Sequence, residues 1–261
     1  MEAQHQRAIA RVTAHFRDDP RFPAMLIGGS VAKGRARPDS DVDIMLVATD
    51  EEYAHRHAAG DTLYFTREFT DYPEGYVDGK ILSLGFLREA ADRGSEPTRA
   101  AFVGAWVAYS RLPEVADLLA RIPVYPEHEQ AAKIAGFYTQ MVVNHWYIGE
   151  AGRHGNRYLL THAAADLVLF GGRLILAHNK ILYPFHKWFM YELAHAPEQP
   201  ADLIAQADSV LRDPTKDTAR RFYESVTGFR DWGMTEHDAF RRWTEDYEWA
   251  WRTARPPLAD W

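Results

Sequence analysis

The sequence predicts an α+β fold in two parts, a first domain at residues 1–126 and an all-α helical bundle at residues 127–261. In the first part, short apolar runs that end in turn residues alternate with polar segments, which is typical of mixed strands and helices. From Glu127 onward the pattern is helical and aromatic, with few strand signals. The change follows Ile122-Pro-Val-Tyr-Pro126, where two prolines within four residues indicate a domain boundary.

The elements of the first domain follow from local patterns. Ile9, Val12 and Phe16 lie near helical spacing and predict a surface helix at the N-terminus. Apolar runs predict strands, and polar segments predict a helix and a turn. The predicted strands are 24–27, 42–47, 62–66, 76–84 and 102–110, the polar helix is 50–60, and the turn is 71–75.

The second domain is predicted to contain long helices near 128–153, 158–180, 199–212, 215–231 and 235–254. The most apolar stretch carries His162, Asp166 and Arg173, which indicates a buried helix and not a membrane span. The N-terminus lacks the apolar core and cleavage site of a signal peptide, so we expect a cytoplasmic protein without a membrane partner.

Composition excludes several classes of protein. With 46% hydrophobic and 26% charged residues, the chain is globular and not disordered. The absence of cysteine excludes a catalytic thiol, a disulfide framework and a cysteine zinc site. The 37 acidic residues exceed the 30 basic ones, which argues against a nucleic-acid partner.

A buried strand ends at Gly28-Gly29-Ser30. Glycines let the backbone approach a ligand closely, and a helix that starts at Ser30 would direct free amides and a hydroxyl outward. The pattern predicts a phosphate site. Between this turn and the next strand, Lys33, Arg35 and Arg37 either neutralise phosphate groups or form a solvated basic loop.

In Asp41-Val42-Asp43-Ile44, acidic and aliphatic residues alternate. On a strand, Asp41 and Asp43 would share one face, while Val42 and Ile44 would enter the core. Two carboxylates on one face are costly unless a cation lies between them, and hard oxygen ligands favour Mg²⁺ or Mn²⁺. Asp39 lies outside this alternation and is interpreted as a turn residue.

Gly29-Ser30 followed by Asp41-Val42-Asp43 resembles the motif of the nucleotidyltransferase superfamily of DNA polymerase β, over about residues 22–90. The resemblance implies a small mixed sheet flanked by helices, with ATP or another NTP as co-substrate. It implies that Asp41 and Asp43 hold two Mg²⁺ ions and that Gly29 and Ser30, with Lys33 and Arg37, hold the phosphates. A third acid is implied on a later strand: Asp78, with Glu68 as the alternative.

The helical half resembles the C-terminal domain of small-molecule, aminoglycoside-type nucleotidyltransferases. This implies a helical acceptor-side domain, with Glu150 either as a catalytic general base or as an exposed helix-end residue, and a possible homodimer. The implied reaction transfers AMP from ATP to a hydroxyl of a small molecule such as an antibiotic and releases pyrophosphate. The alternative is AMPylation of a protein target, as in antitoxin-type members of the superfamily.

Overall fold

The computed structural model describes residues 1–253. The chain divides into two compact units between Tyr125 and Pro126. We call residues 1–125 the sheet unit and the described residues from 126 onward the helical unit. The predicted α+β class is confirmed, because the strands all lie in the sheet unit and helices dominate the second.

The sheet unit contains one mixed five-stranded sheet. The order across the sheet is β3-β4-β2-β1-β5; β2 and β4 run parallel, and the other neighbouring pairs are antiparallel. The strands are β1 (Ala24–Ile27), β2 (Val42–Ala48), β3 (Leu63–Thr66), β4 (Val77–Ser83) and β5 (Trp106–Ser110).

Helices cover both faces of this sheet. On one face Val12 and Phe16 pack with Met25 and Ile27, and on the other face Leu87 packs with its own group of buried residues. β1 is therefore buried throughout, as its uninterrupted apolar sequence requires. The helices of this unit are α1 (Ala3–Arg17), α2 (Gly29–Ala32), α3 (Asp50–Ala59), α4 (Leu84–Arg93), α5 (Glu96–Ala101) and α6 (Val115–Arg121).

Two sequence expectations in this unit need correction. The predicted strand at 102–110 starts only at Trp106, because the preceding residues form a turn that contains Gly104 at φ 74°. The predicted strand at 76–84 ends at Ser83, whose side chain accepts a hydrogen bond from the N–H of Phe86 and caps α4. The helices α4, α5 and α6 were not predicted.

The helical unit is built on two long antiparallel neighbours, α7 (Gln130–His154) and α8 (Arg157–His178), joined through the left-handed Gly155. After them come α9 (His186–Ala194), α10 (Leu203–Arg212), α11 (Lys216–Phe229) and α12 (Glu236–Trp243). The predicted helix 235–254 is too long: α12 is followed by a π turn and a 3₁₀ turn, and residue 254 lies outside the described residues. α9 was not predicted, because Pro184 and the aromatic residues around it do not show helical spacing.

α8 is the one helix among the described residues that is long and apolar enough to cross a membrane by length and composition. Half of its most apolar 18-residue window is buried inside the protein. Leu167, Leu174 and Ile175 are fully buried and belong to the main core of the helical unit. The packing is that of a core helix.

Candidate functional site

Three carboxylates converge at one end of the sheet. Asp43 lies in β2 directly beside Asp78 of the parallel strand β4, and Asp41 immediately precedes β2. One oxygen atom from each lies within 4.8 Å of those of the other two, and all three residues are partly exposed. Among the described residues, this is the group of acidic and histidine side chains that has the geometry of a metal site.

The neighbours of the cluster explain its position. Val42 and Ile44 are buried, so the alternation of β2 turns Asp43 away from the core. Gly79 follows Asp78 in β4. A Cβ atom at Gly79 would lie 2.1 Å from the carbonyl oxygen of Ile44, so only glycine permits β4 to approach β2 this closely.

The turn after β1 is joined to the same cluster. The N–H of Gly28 donates a 2.9 Å hydrogen bond to the carbonyl oxygen of Asp43. Gly29 has a φ of 63°, and a Cβ atom there would lie 1.5 Å from Oδ2 of Asp43. The backbone of Gly29 therefore occupies the space beside the Asp43 carboxylate, and the turn and the acid are held as one unit.

Ser30 follows this turn, in the short helix α2. Its Oγ is buried and has no hydrogen-bond partner among the described residues. A buried hydroxyl without a partner costs free energy, and a ligand oxygen next to it would remove that cost. The residue is suited to contact a phosphate oxygen.

The basic residues of the loop differ from one another. Arg37 is exposed, and its guanidinium pairs with Asp39 at 3.0 Å. This hydrogen bond lowers the pKa of the Asp39 carboxyl, which lies in the turn before β2. Lys33 caps the C-terminal end of α2, directly after the turn that carries Ser30. Lys33 is therefore near the phosphate turn in the chain. Arg37 lies farther along the loop and is paired with Asp39.

Two tyrosines beside the cluster were missed by sequence reasoning. A hydrogen bond with Asp41 raises the pKa of the Tyr76 phenol, and burial with the charge of Asp41 raises that of Tyr72. The Tyr72 hydroxyl donates a 2.7 Å hydrogen bond to the carbonyl oxygen of Ser40, immediately before Asp41. Both residues hold Asp41 in place, and no local spacing pattern marks them.

The other predicted acids lie elsewhere. Glu68 lies after β3, is exposed, and is outside the cluster, so the geometry favours Asp78 as the third acid. Glu150 lies on α7 in the helical unit with 18% of its side chain exposed, which corrects the alternative of an exposed helix-end residue. It forms an ion pair with Arg153 and lies 3.7 Å from Nε2 of His154. Its carboxylate is therefore engaged by neighbours on its own helix.

The comparison with known protein families agrees with this geometry. Residues 24–90 match the family model of the nucleotidyltransferase domain, a range that contains the glycine turn and all three clustered acids. A solved structure of a nucleotidyltransferase-like protein from Exiguobacterium sibiricum 255-15 is similar over 95% of this chain and 78% of that one, with a TM-score of 0.48 and 10% identity. No curated protein matches this chain.

Proposed function

We propose that this chain, which belongs to the nucleotidyltransferase superfamily and is a nucleotidyltransferase enzyme, transfers AMP from ATP to a hydroxyl group of a small molecule and releases pyrophosphate. One observation carries the proposal. The carboxylates of Asp41, Asp43 and Asp78 lie together, and the turn that contains Gly29 and Ser30 is hydrogen-bonded to β2, the strand of Asp43.

The donor set fits a divalent cation. The three side chains offer only carboxylate oxygens, which suit Mg²⁺ or Mn²⁺, and their like charges favour a cation among them. We propose that Asp41, Asp43 and Asp78 hold it. A bound divalent cation would neutralise charge on the α-phosphate and lower the pKa of the acceptor hydroxyl.

The chain's own groups bind and orient the substrates. The buried hydroxyl of Ser30 and the backbone at Gly29 would hold the terminal phosphates, and Lys33 would add positive charge. Arg37 would act in the same way once it leaves Asp39. The acceptor oxygen forms a bond to the α-phosphorus, the bond from that phosphorus to pyrophosphate breaks, and the hydroxyl proton passes to a carboxylate that acts as general base.

We propose that the helical unit carries the acceptor side, with Glu150 as general base, and that the acceptor is a hydroxyl-bearing molecule such as an aminoglycoside antibiotic. The proposal rests on the resemblance of the helical half to small-molecule nucleotidyltransferases. We also propose that the enzyme and its acceptor are cytoplasmic. The proposed assembly is a homodimer.

The test is pyrophosphate release from each NTP with Mg²⁺, with and without a panel of aminoglycosides and lincosamides. We expect release that depends on ATP and on one acceptor, and that is abolished in Asp41→Ala. The matched control is Asp39→Ala, because Asp39 is two residues away and paired with Arg37 in an exposed turn. Normal turnover in Asp41→Ala would overturn the metal assignment.

The same experiment separates the two acceptor classes. Absence of release with every small molecule, together with a mass increase of one nucleotide on a co-purified protein, would replace the small-molecule acceptor with a protein target. Release in both variants alike would exclude the cluster as the reaction centre.

A further inference from the structure

A cavity of about 430 Å³ lies within the helical unit, between α7, α11 and α12. Its volume is within the range of small-molecule sites. Val142, Ile148 and Ala219 contribute apolar surface, and Trp146 and Phe240 add aromatic rings that meet edge to face at 6.0 Å. Every residue that lines the cavity belongs to the helical unit, and none of them is an acid of the cluster.

The charges around the cavity are unequal. Its lining includes Arg153, Lys216 and Arg220, against the single carboxylate of Glu236. Arg153 pairs with Glu150, and Arg220 pairs with acids on its own helix. Lys216 makes no ion pair or hydrogen bond among residues 1–253.

Lys216 is also the first residue of α11, a helix of 14 residues. The N-terminus of a helix carries partial positive charge, which adds to that of the ammonium group. Both features favour an anionic group at this end of the cavity.

The lining also contains an imidazole and a carboxylate that make defined contacts with Tyr223. His145 stacks face to face on Tyr223, with ring centroids 4.2 Å apart, and burial lowers the pKa of its imidazole. The Tyr223 hydroxyl donates a 2.8 Å hydrogen bond to Glu236, whose carboxylate retains further acceptor capacity. Within the described part of the chain, the site therefore offers aromatic surface, the unpaired ammonium group of Lys216 and one acceptor for an N–H group.

We propose that this cavity binds a small aromatic organic anion, with its ring among Trp146, Phe240 and His145 and its anionic group near Lys216. The proposed site uses none of the residues that are assigned to nucleotidyl transfer.

Gly149 gives a way to close the cavity. It lies in the lining, and a Cβ atom there would be 3.7 Å from Cε of Lys216, so a large side chain at 149 would fill the space. Gly152 lies on the same helix, is exposed, and would meet nothing within 4 Å. Gly149→Leu and Gly152→Leu thus make the same change on one helix, with only the first inside the cavity.

The test is isothermal titration calorimetry of the full chain without nucleotide, with indole-3-acetate, the neutral indole-3-acetamide and the cationic tryptamine as probes. None of these has an alcohol hydroxyl, so none is an acceptor for the proposed transfer. We expect indole-3-acetate to bind most tightly, Gly149→Leu to abolish its binding, and Gly152→Leu to leave it unchanged.

The charge is tested separately. Lys216→Gln should weaken the binding of indole-3-acetate by about threefold to fivefold, which is the effect of losing a partly exposed ion pair. The binding of indole-3-acetamide should not change. Lys187→Gln, at an exposed lysine outside the lining, is the control. Absence of binding by indole-3-acetate, equal binding in Gly149→Leu, or preference for tryptamine would overturn the proposal. Because the titration contains no nucleotide, these outcomes are independent of whether the chain transfers AMP.

Discussion

Acidic residues in the two units are positioned by different means. In the sheet unit, the register of parallel strands places Asp43 beside Asp78, so like charges are held close together by the backbone. In the helical unit, acids lie three or four residues from arginines on the same helix, as Glu150 does from Arg153 and Glu224 from Arg220. Local pairs of this kind form on many helices and contribute little stability.

The difference shows which acids point to function. Bringing three carboxylates together opposes folding unless a cation is bound, so the arrangement is explained by binding better than by stability. A helical ion pair needs no such explanation. The acidic cluster therefore supports a ligand site by its geometry alone, whereas Glu150 depends on the resemblance to related enzymes.

Short of removing a carboxylate, the largest expected effect comes from moving Asp43 without changing it. In Gly29→Ala the new methyl group would overlap Oδ2 of Asp43 and displace the carboxylate. A misplacement of about 1 Å costs about 100-fold in rate, so we expect kcat for acceptor-dependent pyrophosphate release to fall by about that factor. The measurement is steady-state kinetics at saturating ATP and Mg²⁺.

Gly34→Ala is the matched control for this substitution. Gly34 also has a positive φ, of 67°, but a Cβ atom there would meet nothing within 4 Å. Both variants carry the backbone strain of about 1 kcal/mol that alanine has in this region. Equal losses in the two would show that strain, and not the position of Asp43, limits the reaction.

Sequence reasoning found the parts of the site that are close together in the chain. The glycine turn and the pair Asp41 and Asp43 lie within one motif, and the burial of Val42 and Ile44 follows from strand alternation. The third acid lies 35 positions beyond Asp43 (78 − 43), and strand register, which pairs Asp43 with Asp78, decides between it and Glu68.

The missed features depend on tertiary contacts. Tyr72 and Tyr76 act on Asp41 across a loop, so no spacing in the sequence marks them. Glycine is needed at position 79 because β4 approaches Ile44 closely. Likewise, α9 follows a proline in a region without helical spacing, and its Phe189 is fixed by packing into the helical core.

The prediction for Glu150 tests whether an acid that is paired with an arginine of its own helix can also take part in the reaction. Because Glu150 is the proposed general base, Glu150→Gln should lower kcat by about 100-fold, with little change in KM for ATP. The control is Glu224→Gln, which removes a carboxylate that is likewise paired with an arginine of its own helix, α11. A loss below about threefold in Glu150→Gln would assign the residue to the ion pair with Arg153 alone.

The smallest expected effect concerns the pH dependence of stability in the helical unit. Burial lowers the pKa of His145 below its ordinary value of 6.5, and this outweighs the nearby charges of Glu236 and Glu224. The folded state therefore binds fewer protons than the unfolded state below about pH 6.5, and the free energy of unfolding should decrease as the pH falls. This contribution is fully present above that pH and is lost as the pH falls through the lowered pKa.

Urea unfolding between pH 8 and pH 5 should show a smaller decrease in the free energy of unfolding for His145→Gln than for the unmodified chain. His55→Gln, at an exposed histidine of α3, should follow the unmodified chain, and parallel curves for all three would contradict the role of burial at His145.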